Sequence, residues 1–182
     1  MNILVINGAP ARDTQLDSAL VRLIHLLEAS GHQVTAAQVC DLQIKHCLGC
    51  WGCWVKTPSQ CVHQDDMEAI LPLILKADLL IFASPLILGY PSAVLKQFMD
   101  RMIPLVHPYI VMDQGECHHL ARYAAYPKMG LFLQKEADTD AEDMAIVHDL
   151  FSRVALNMKT TLQFTHTTDE DLQEVCHEIN RC

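Results

Sequence analysis

Short apolar runs alternate along the chain with segments whose apolar residues recur at helical spacing. Asn2–Asn7 is almost wholly apolar, as expected for a central parallel strand that is buried on both faces. Leucines between positions 16 and 27 then recur at the spacing of a helix, and Gly31 follows as a helix stop. The pattern predicts strands over residues 2–7, 32–39, 78–83, 128–133 and 160–165, and helices over 14–30, from 65 onwards, 92–102, 141–157 and 169–181.

This strict alternation predicts an α/β fold, in which a doubly wound parallel sheet has helices on both faces. We expect one domain that covers residues 1–182. Asp65-Asp66-Met67-Glu68 has the pattern of a capping box that opens the second helix. Ligands of such sheets bind beyond the carboxyl ends of the strands, near the switch in strand order, so the loops after the first, third and fourth strands are the candidate contacts.

Two connections stand out. The predicted loop over residues 83–92 is unusually apolar and contains two prolines and a glycine. Such a loop either supports a flat apolar ring or completes the core with its leucines, and composition alone favours neither. Residues 104–127 form the least regular stretch, with three tyrosines and three histidines. A connection of that length is usually functional or an interface.

Composition narrows the class of protein. The chain has 182 residues, of which 51% are hydrophobic, so it can bury a full core. No apolar run is long enough to span a bilayer and no signal peptide is visible, so we expect a cytoplasmic protein without a membrane partner. The net charge of −9, with only 13 basic residues, argues against nucleic acid as a partner.

Four of the eight cysteines lie within fifteen residues, in a C-x2-C-x2-C pattern with a fourth cysteine eight positions later. Thiolates at this spacing can hold a [4Fe-4S] cluster, and four of them are also chemically adequate for zinc. In the reducing cytosol they can equally be free thiols on a packing or dimer loop whose two tryptophans bury a large area. The candidate metal ligands are Cys47, Cys50, Cys53 and Cys61.

The loop after the first strand, residues 7–14, leads into the start of a helix, where the helix dipole favours a phosphate. The chain contains neither G-x-x-x-x-G-K-[ST] nor G-x-G-x-x-G. Both a P-loop ATPase and a Rossmann dinucleotide site are therefore disfavoured.

Three segments in order carry a family resemblance. They are Ile6-Asn-Gly-Ala-Pro10, the cysteine segment from Cys47 to Met67, and Ser84-Pro-Leu-Ile-Leu-Gly-Tyr-Pro-Ser92 with the helix that follows it. Together they resemble the NADPH-dependent FMN reductase and iron–sulfur flavoprotein branch of the flavodoxin-like superfamily. The match covers roughly the first 105 residues. It implies a flavodoxin-like five-stranded parallel sheet with strand order 2-1-3-4-5.

The resemblance also implies FMN as cofactor. Its phosphate would be held by Ala9, Arg12 and Thr14, with Gln15 and Ser18 as neighbours, and its ring by Ser84, Pro85, Leu86, Ile87, Leu88 and Gly89. No catalytic acid or base is required, because hydride passes from NAD(P)H to the flavin when the rings stack.

The implied function is therefore an NAD(P)H-dependent, FMN-containing oxidoreductase that serves a small-molecule redox acceptor or an electron-carrier protein. Two alternatives stay open: an iron–sulfur flavoprotein acting in electron transfer, and a flavodoxin-like binding module without turnover. Family resemblance and the exposed aromatic segments further predict a homodimer or a higher homo-oligomer.

Overall fold

The computed structural model describes residues 1–12 and 14–182; Asp13, in the predicted loop after the first strand, lies outside the described residues. The strands are β1 (Asn2–Asn7), β2 (Gln33–Gln38), β3 (Leu79–Ile87), β4 (Tyr90–Pro91), β5 (Val106–Asp113), β6 (Glu116–Ala121), β7 (Lys128–Gln134) and β8 (Leu162–Thr167). The helices are α1 (Gln15–Ala29), α2 (Gly52–Val55), α3 (Met67–Lys76), α4 (Ala93–Asp100), α5 (Ala141–Asn157) and α6 (Leu172–Ile179).

Five parallel strands form the central sheet in the order β2-β1-β3-β7-β8. The predicted order, 2-1-3-4-5, is confirmed, since β7 and β8 are the fourth and fifth strands of the sequence prediction. The order reverses between β1 and β3, and the carboxyl ends of these two strands mark the switch point at which such sheets bind ligands.

The sheet is buried on both faces by two clusters of apolar side chains. Alternate residues of β1 point to opposite faces: Leu4 and Ile6 belong to the cluster under α3, α4 and α5, and Ile3 and Val5 to the cluster under α1 and α6. This explains why the central strands read as continuous apolar runs. None of the helices in the described part of the chain has the length and apolarity needed to cross a bilayer.

The segment predicted as an apolar loop, residues 83–92, is instead a strand and a tight hairpin. β3 continues to Ile87, because Ser84 and Pro85 still pair with β7, and then turns through Leu88 and Gly89 into β4. The prediction was wrong because the prolines were taken as loop signals. Pro85 lies beyond Ala83, the last residue of β3 that pairs with β1, and Pro91 lies in the two-residue strand β4, which pairs only with β3; prolines are tolerated at such edges.

The stretch over 104–127, predicted to be irregular, contains an antiparallel hairpin of β5 and β6. Exposed and half-buried residues alternate over the last four residues of β5, from Ile110 to Asp113, as in a ribbon with one face on the domain and one open. The hairpin is fastened to α5 and its end: the His119 amide donates to the Asn157 side chain at 3.0 Å, and Lys159 pairs with Asp113 at 2.8 Å.

The predicted capping box at residues 65–68 is present only in part. α3 begins at Met67, and the Asp66 side chain makes no capping hydrogen bond. Asp66 accepts instead from the Gln43 amide at 2.7 Å, and Asp65 is engaged by Arg101. The Asp65 carboxylate still accepts from the Met67 amide at 3.3 Å, as a cap would, but its shorter hydrogen bonds come from Arg101, which is distant in sequence.

Candidate functional site

The loop after β1 and the start of α4 lie against each other at the switch point. The Gly8 amide donates to the Ala83 carbonyl at 2.8 Å, and the Ser92 hydroxyl donates to the Gly8 carbonyl. A Cβ on Gly8 would lie 2.5 Å from the Leu95 Cβ, so only glycine permits this approach. The predicted phosphate loop and the predicted ring loop are therefore neighbours.

The start of α1 is closed by a capping box. The Thr14 hydroxyl accepts from the Asp17 amide at 3.1 Å, and the Asp17 carboxylate accepts from the Thr14 amide at 2.8 Å and from the Asn7 side chain. Burial raises the pKa of Asp17, but these hydrogen bonds outweigh it and hold that pKa below its ordinary value. The carboxylate is thus ionised at the helix start.

The residues predicted to hold a phosphate share this loop but differ in environment. Ala9 is fully buried and its amide donates to the Asn7 side chain at 2.9 Å. Arg12 is exposed and pairs with Asp41. Gln15 and Ser18 are exposed on the first turn of α1. Only Arg12 among them brings a positive charge.

Of the six residues predicted to contact a ring, two are buried, two are half-buried and two are exposed. Ser84 is fully buried: its hydroxyl donates to the Pro85 carbonyl at 2.8 Å and accepts from the Ser92 amide at 2.9 Å. Leu86 is buried as well, while Ile87 is 45% and Leu88 93% exposed. The hairpin tip therefore presents apolar side chains to solvent.

The hairpin turn has positive φ at both central residues, 53° at Leu88 and 72° at Gly89, which is the pattern of a type I′ turn. A leucine in this region is strained by roughly 1–2 kcal/mol, and asparagine or glycine is the usual choice. The Leu88 side chain is almost fully exposed, so burial of its apolar surface does not offset this strain. This outlier motivates a functional role for Leu88.

Two residues at the carboxyl end of β7 and just beyond it, in the region that the sequence analysis located only as a loop, support the hairpin and the start of α1. The Glu136 carboxylate accepts from the Gly89 amide at 3.2 Å, and the Gln134 side chain accepts from the Leu16 amide at 3.1 Å. The rule that ligands bind beyond the carboxyl ends of strands indicated this third loop, but no residue pattern in it singled out either side chain.

The cysteine loop is anchored to the β5–β6 hairpin by Trp54. Its indole nitrogen donates to the Val106 carbonyl at 3.0 Å, and its ring lies 4.9 Å from those of Trp51 and His119. Among residues 1–12 and 14–182, no three His, Cys, Asp or Glu side chains are grouped so that they could hold a metal ion. The structure therefore does not assemble Cys47, Cys50, Cys53 and Cys61 into a ligand set.

The four thiols nevertheless share one neighbourhood. Cys47 and Cys50 are exposed, and Cys53 and Cys61 are half-buried. Burial raises the pKa of the Cys53 thiol, and the nearby charges of Cys61, Cys47 and Cys50 raise it further.

A buried ion pair holds the far end of the cysteine loop to α4. Arg101 donates to both oxygens of Asp65, at 2.7 and 3.0 Å, and to the Lys45 carbonyl at 2.7 Å. The two side chains are 1% and 4% exposed. Although burial raises the pKa of Asp65, the hydrogen bonds and charge of Arg101 lower it to about 2.

The described residues fit FMN in two respects. The apolar hairpin tip can support a flat ring, and the neighbouring loop brings Arg12 to the start of α1, where the dipole favours a phosphate. The amides of Thr14, Leu16 and Asp17 already donate within the chain. We therefore expect Arg12 to contribute most of the phosphate affinity.

Known proteins are similar to the part of this chain that contains the predicted cofactor loops. A family model described as NADPH-dependent FMN reductase matches residues 1–125, which include the loop after β1, the cysteine loop and the β3–β4 hairpin. An iron–sulfur flavoprotein from Archaeoglobus fulgidus is 33% identical over 107 residues, 59% of this chain and 48% of its own. Another from Methanocaldococcus jannaschii is 30% identical over 105 residues, 58% of this chain and 53% of its own. The chain spans about half the length of the curated relatives it matches.

Solved structures share the fold at low sequence identity. An NAD(P)H:quinone oxidoreductase from Methanothermobacter marburgensis superposes with a TM-score of 0.68 at 14% identity, over 99% of this chain and 90% of the other. An FMN-dependent NADH-azoreductase from Bacillus anthracis, solved in complex with FMN, gives 0.63 at 13% identity, over 99% and 94%. These likenesses establish the fold, which is that of the flavodoxin-like reductases.

Proposed function

Because the chain belongs to the NADPH-dependent FMN reductase family, we propose that it is an FMN-dependent oxidoreductase that accepts hydride from NADH or NADPH. The observation that carries the proposal is the apolar, strained tip of the β3–β4 hairpin at the carboxyl end of β3, in the segment whose Ala83 and Ser92 contact the loop after β1 through Gly8. The names of the structural neighbours, a quinone oxidoreductase and an FMN-dependent azoreductase, support the same reaction class.

The residues of the chain would position the reactants. Arg12 and Thr14 would hold the phosphate of FMN, and Pro85, Ile87, Leu88 and Gly89 would hold its ring. Bound FMN supplies the chemistry of accepting hydride and releasing electrons to an acceptor. The chain contributes placement and exclusion of water: Glu136 fixes the hairpin through the Gly89 amide, and Leu88 covers the site with an apolar side chain.

The acceptor is proposed to be a small redox-active molecule, such as a quinone, or an electron-carrier protein. A flat, uncharged compound suits this site better than an anionic one. The exposed leucine and isoleucine at the hairpin tip would bury apolar surface against such a compound, and the net charge of −9 on the chain would repel an anion.

The strained leucine gives a direct test. Leu88→Gly removes the apolar side chain and relieves the positive-φ strain, so we expect weaker FMN binding with an unchanged or raised free energy of unfolding. The matched control is Gln114→Gly, since Gln114 and Gly115 form the same kind of turn, with φ of 50° and 84°, at the tip of the β5–β6 hairpin. Fluorescence titration with FMN should distinguish them. Equal affinities in both variants would show that the ring lies elsewhere.

The phosphate site predicts a difference between two flavins. Arg12→Ala should weaken the binding of FMN by about 1.5–3 kcal/mol, the contribution of a charged hydrogen bond, and leave riboflavin, which lacks the phosphate, unaffected. Arg22→Ala, which removes an exposed charge from α1 beyond its first turn, is the control for net charge. An Arg12→Ala protein that loses affinity equally for both flavins would contradict the assignment.

A second candidate function is single-electron transfer with an iron–sulfur cluster. The names of the curated relatives and the cysteine spacing favour it. The four thiols do not form a ligand set in the structure, so we derive no step through a cluster. Iron and acid-labile sulfide measured on anaerobically purified protein decide this candidate: both must be present in stoichiometric amounts.

We propose that the chain pairs with a second copy of itself through the cysteine loop and the β5–β6 hairpin. Trp54 joins these segments into one surface, which exposes Leu48, Trp51, Val55, Tyr109, Ile110 and Met112. An apolar surface that contains aromatic residues is typical of an interface, and two-fold pairing is its commonest form.

Light scattering tests this pairing. The protein should have twice the chain mass of 20.4 kDa, and Tyr109→Ser combined with Met112→Ser should reduce it to a monomer. Ile146→Ser, at a similarly exposed apolar residue on α5, should leave the mass unchanged. A native mass near 20.4 kDa at micromolar concentration would contradict the pairing.

A further inference from the structure

The cysteine loop folds back on itself so that its two ends meet. After α2 the Thr57 amide donates to the Gly52 carbonyl at 3.0 Å, and the Ser59 amide donates to the Cys53 carbonyl at 3.0 Å. Val62 then packs against Gly52, where a Cβ would lie 2.8 Å from the Val62 Cγ1. The segment with Cys61 therefore runs beside the segment with Cys53.

The two thiols differ in surroundings. Cys61 lines a cleft of about 400 Å³ together with His63, Tyr123 and Arg101. Cys53 lies in α2 directly before Trp54, whose indole anchors the loop to Val106. Of these two half-buried thiols, Cys61 is the one that lines a cleft through which a diffusible reactant can approach.

A buried cation with a spare donor stands next to Cys61. The Arg101 side chain is 1% exposed, and its Nε has no hydrogen-bond partner among the described residues. Arg101 and Cys61 line the same cleft. A thiolate or an oxidised sulfur at Cys61 would accept a hydrogen bond from the Nε of Arg101, whose guanidinium Asp65 holds in place.

We propose that Cys61 and Cys53 form a dithiol pair that a hydroperoxide converts reversibly to a disulfide. The Cys61 sulfur attacks the hydroperoxide, the O–O bond breaks and an alcohol or water leaves, so that Cys61 becomes a sulfenic acid and has given up two electrons. The Cys53 sulfur then displaces hydroxide from it, which leaves as water with a proton, and the S–S bond forms. A dithiol reductant returns two electrons and two protons and restores both thiols.

This modification does not depend on FMN. It follows from the mismatch between the cysteine spacing, which suits a cluster, and the structure, in which the four thiols do not form a ligand set. The proposed function can fail while the disulfide forms, and the disulfide can fail while FMN is reduced.

Peptide mapping tests the proposal, because Lys56 separates the two cysteines. Protein purified under reducing conditions is treated with hydrogen peroxide, alkylated and digested with trypsin. We expect peptide 46–56, which holds Cys47, Cys50 and Cys53, to be linked to peptide 57–76, which holds Cys61, and dithiothreitol to separate them.

Serine variants identify the partner. Cys61→Ser and Cys53→Ser should each lose the link, whereas Cys47→Ser and Cys50→Ser should keep it; circular dichroism checks that each variant is folded. Cys53→Ser should in addition leave a sulfenic acid on Cys61 that dimedone labels. A link that survives Cys53→Ser, a protein whose peptides never link, or one whose four thiols are protected by bound iron would each overturn the proposal.

Discussion

Replacing Asp65 by Ala is expected to destabilise the protein by about 3–5 kcal/mol, since it leaves a buried guanidinium without its carboxylate. Arg101 and Asp65 are 1% and 4% exposed, and the pair ties the cysteine loop to α4, directly after the β3–β4 hairpin. Chemical denaturation measures the change. The control is Asp100→Ala, which breaks the exposed pair with Lys96 on α4 and should cost under about 1 kcal/mol.

The Asp65–Arg101 pair also makes the free energy of unfolding depend on pH in the acid range. Because the pKa of Asp65 in the folded protein is about 2, below its ordinary 3.8, its contribution is fully present above pH 3.8 and is lost as the pH falls through about 2. Wild-type protein should lose stability across this window, and Asp65→Ala should lose less of it. Parallel acid unfolding curves for the two proteins would contradict the role given to this pair.

Replacing Gly8 by Ala is expected to disturb fold and site together. The new Cβ would lie 2.5 Å from the Leu95 Cβ and 3.2 Å from both the Leu95 Cα and the Ala83 carbonyl oxygen, so the loop after β1 must move away from α4. Overpacking of this kind costs about 1–3 kcal/mol. FMN affinity should fall by about tenfold, equivalent to about 1.4 kcal/mol, because the loop would no longer lie beside the hairpin.

Ser92→Ala distinguishes a general loss of stability from a displacement of the loop after β1. It removes the hydrogen bond to the Gly8 carbonyl without pushing the loop, so it should lower stability while changing FMN affinity less than Gly8→Ala does. Calorimetry with FMN on both variants gives the comparison. A Gly8→Ala protein that binds FMN as tightly as wild type would show that the close approach of these segments is irrelevant to the site.

The sheet could be predicted from the sequence because parallel strands that are buried on both faces appear as short continuous runs of apolar residues. Asn2–Asn7 and the run from Asp78 to Ala83 are apolar on both faces, and the intervening helices have one apolar stripe each. Such local patterns fix element type and, with right-handed crossovers, restrict the order of the strands.

The parts that could not be predicted depend on contacts between distant segments. Pro85 reads as a loop residue, yet β7 pairs beside it and extends the strand. Asp65 has the pattern of a helix cap and does accept from the Met67 amide, but the sequence gives no sign that Arg101, thirty-six positions later, also binds it. Glu136 belongs to no sequence motif; it reaches the Gly89 amide because β7, which precedes it, pairs with β3. The site residues inferred from the resemblance remain predictions until a flavin is bound.

One measurement addresses the central claim most directly: the absorbance of FMN-loaded protein, near ~450 nm, during anaerobic addition of NADPH or NADH. The account predicts that FMN binds stoichiometrically, that its absorbance bleaches when the nicotinamide is added, and that a quinone restores it. Failure to bind FMN at tens of micromolar protein, or bound FMN that stays oxidised in the presence of both nicotinamides, would contradict the account and leave a flavodoxin-like binding module without turnover.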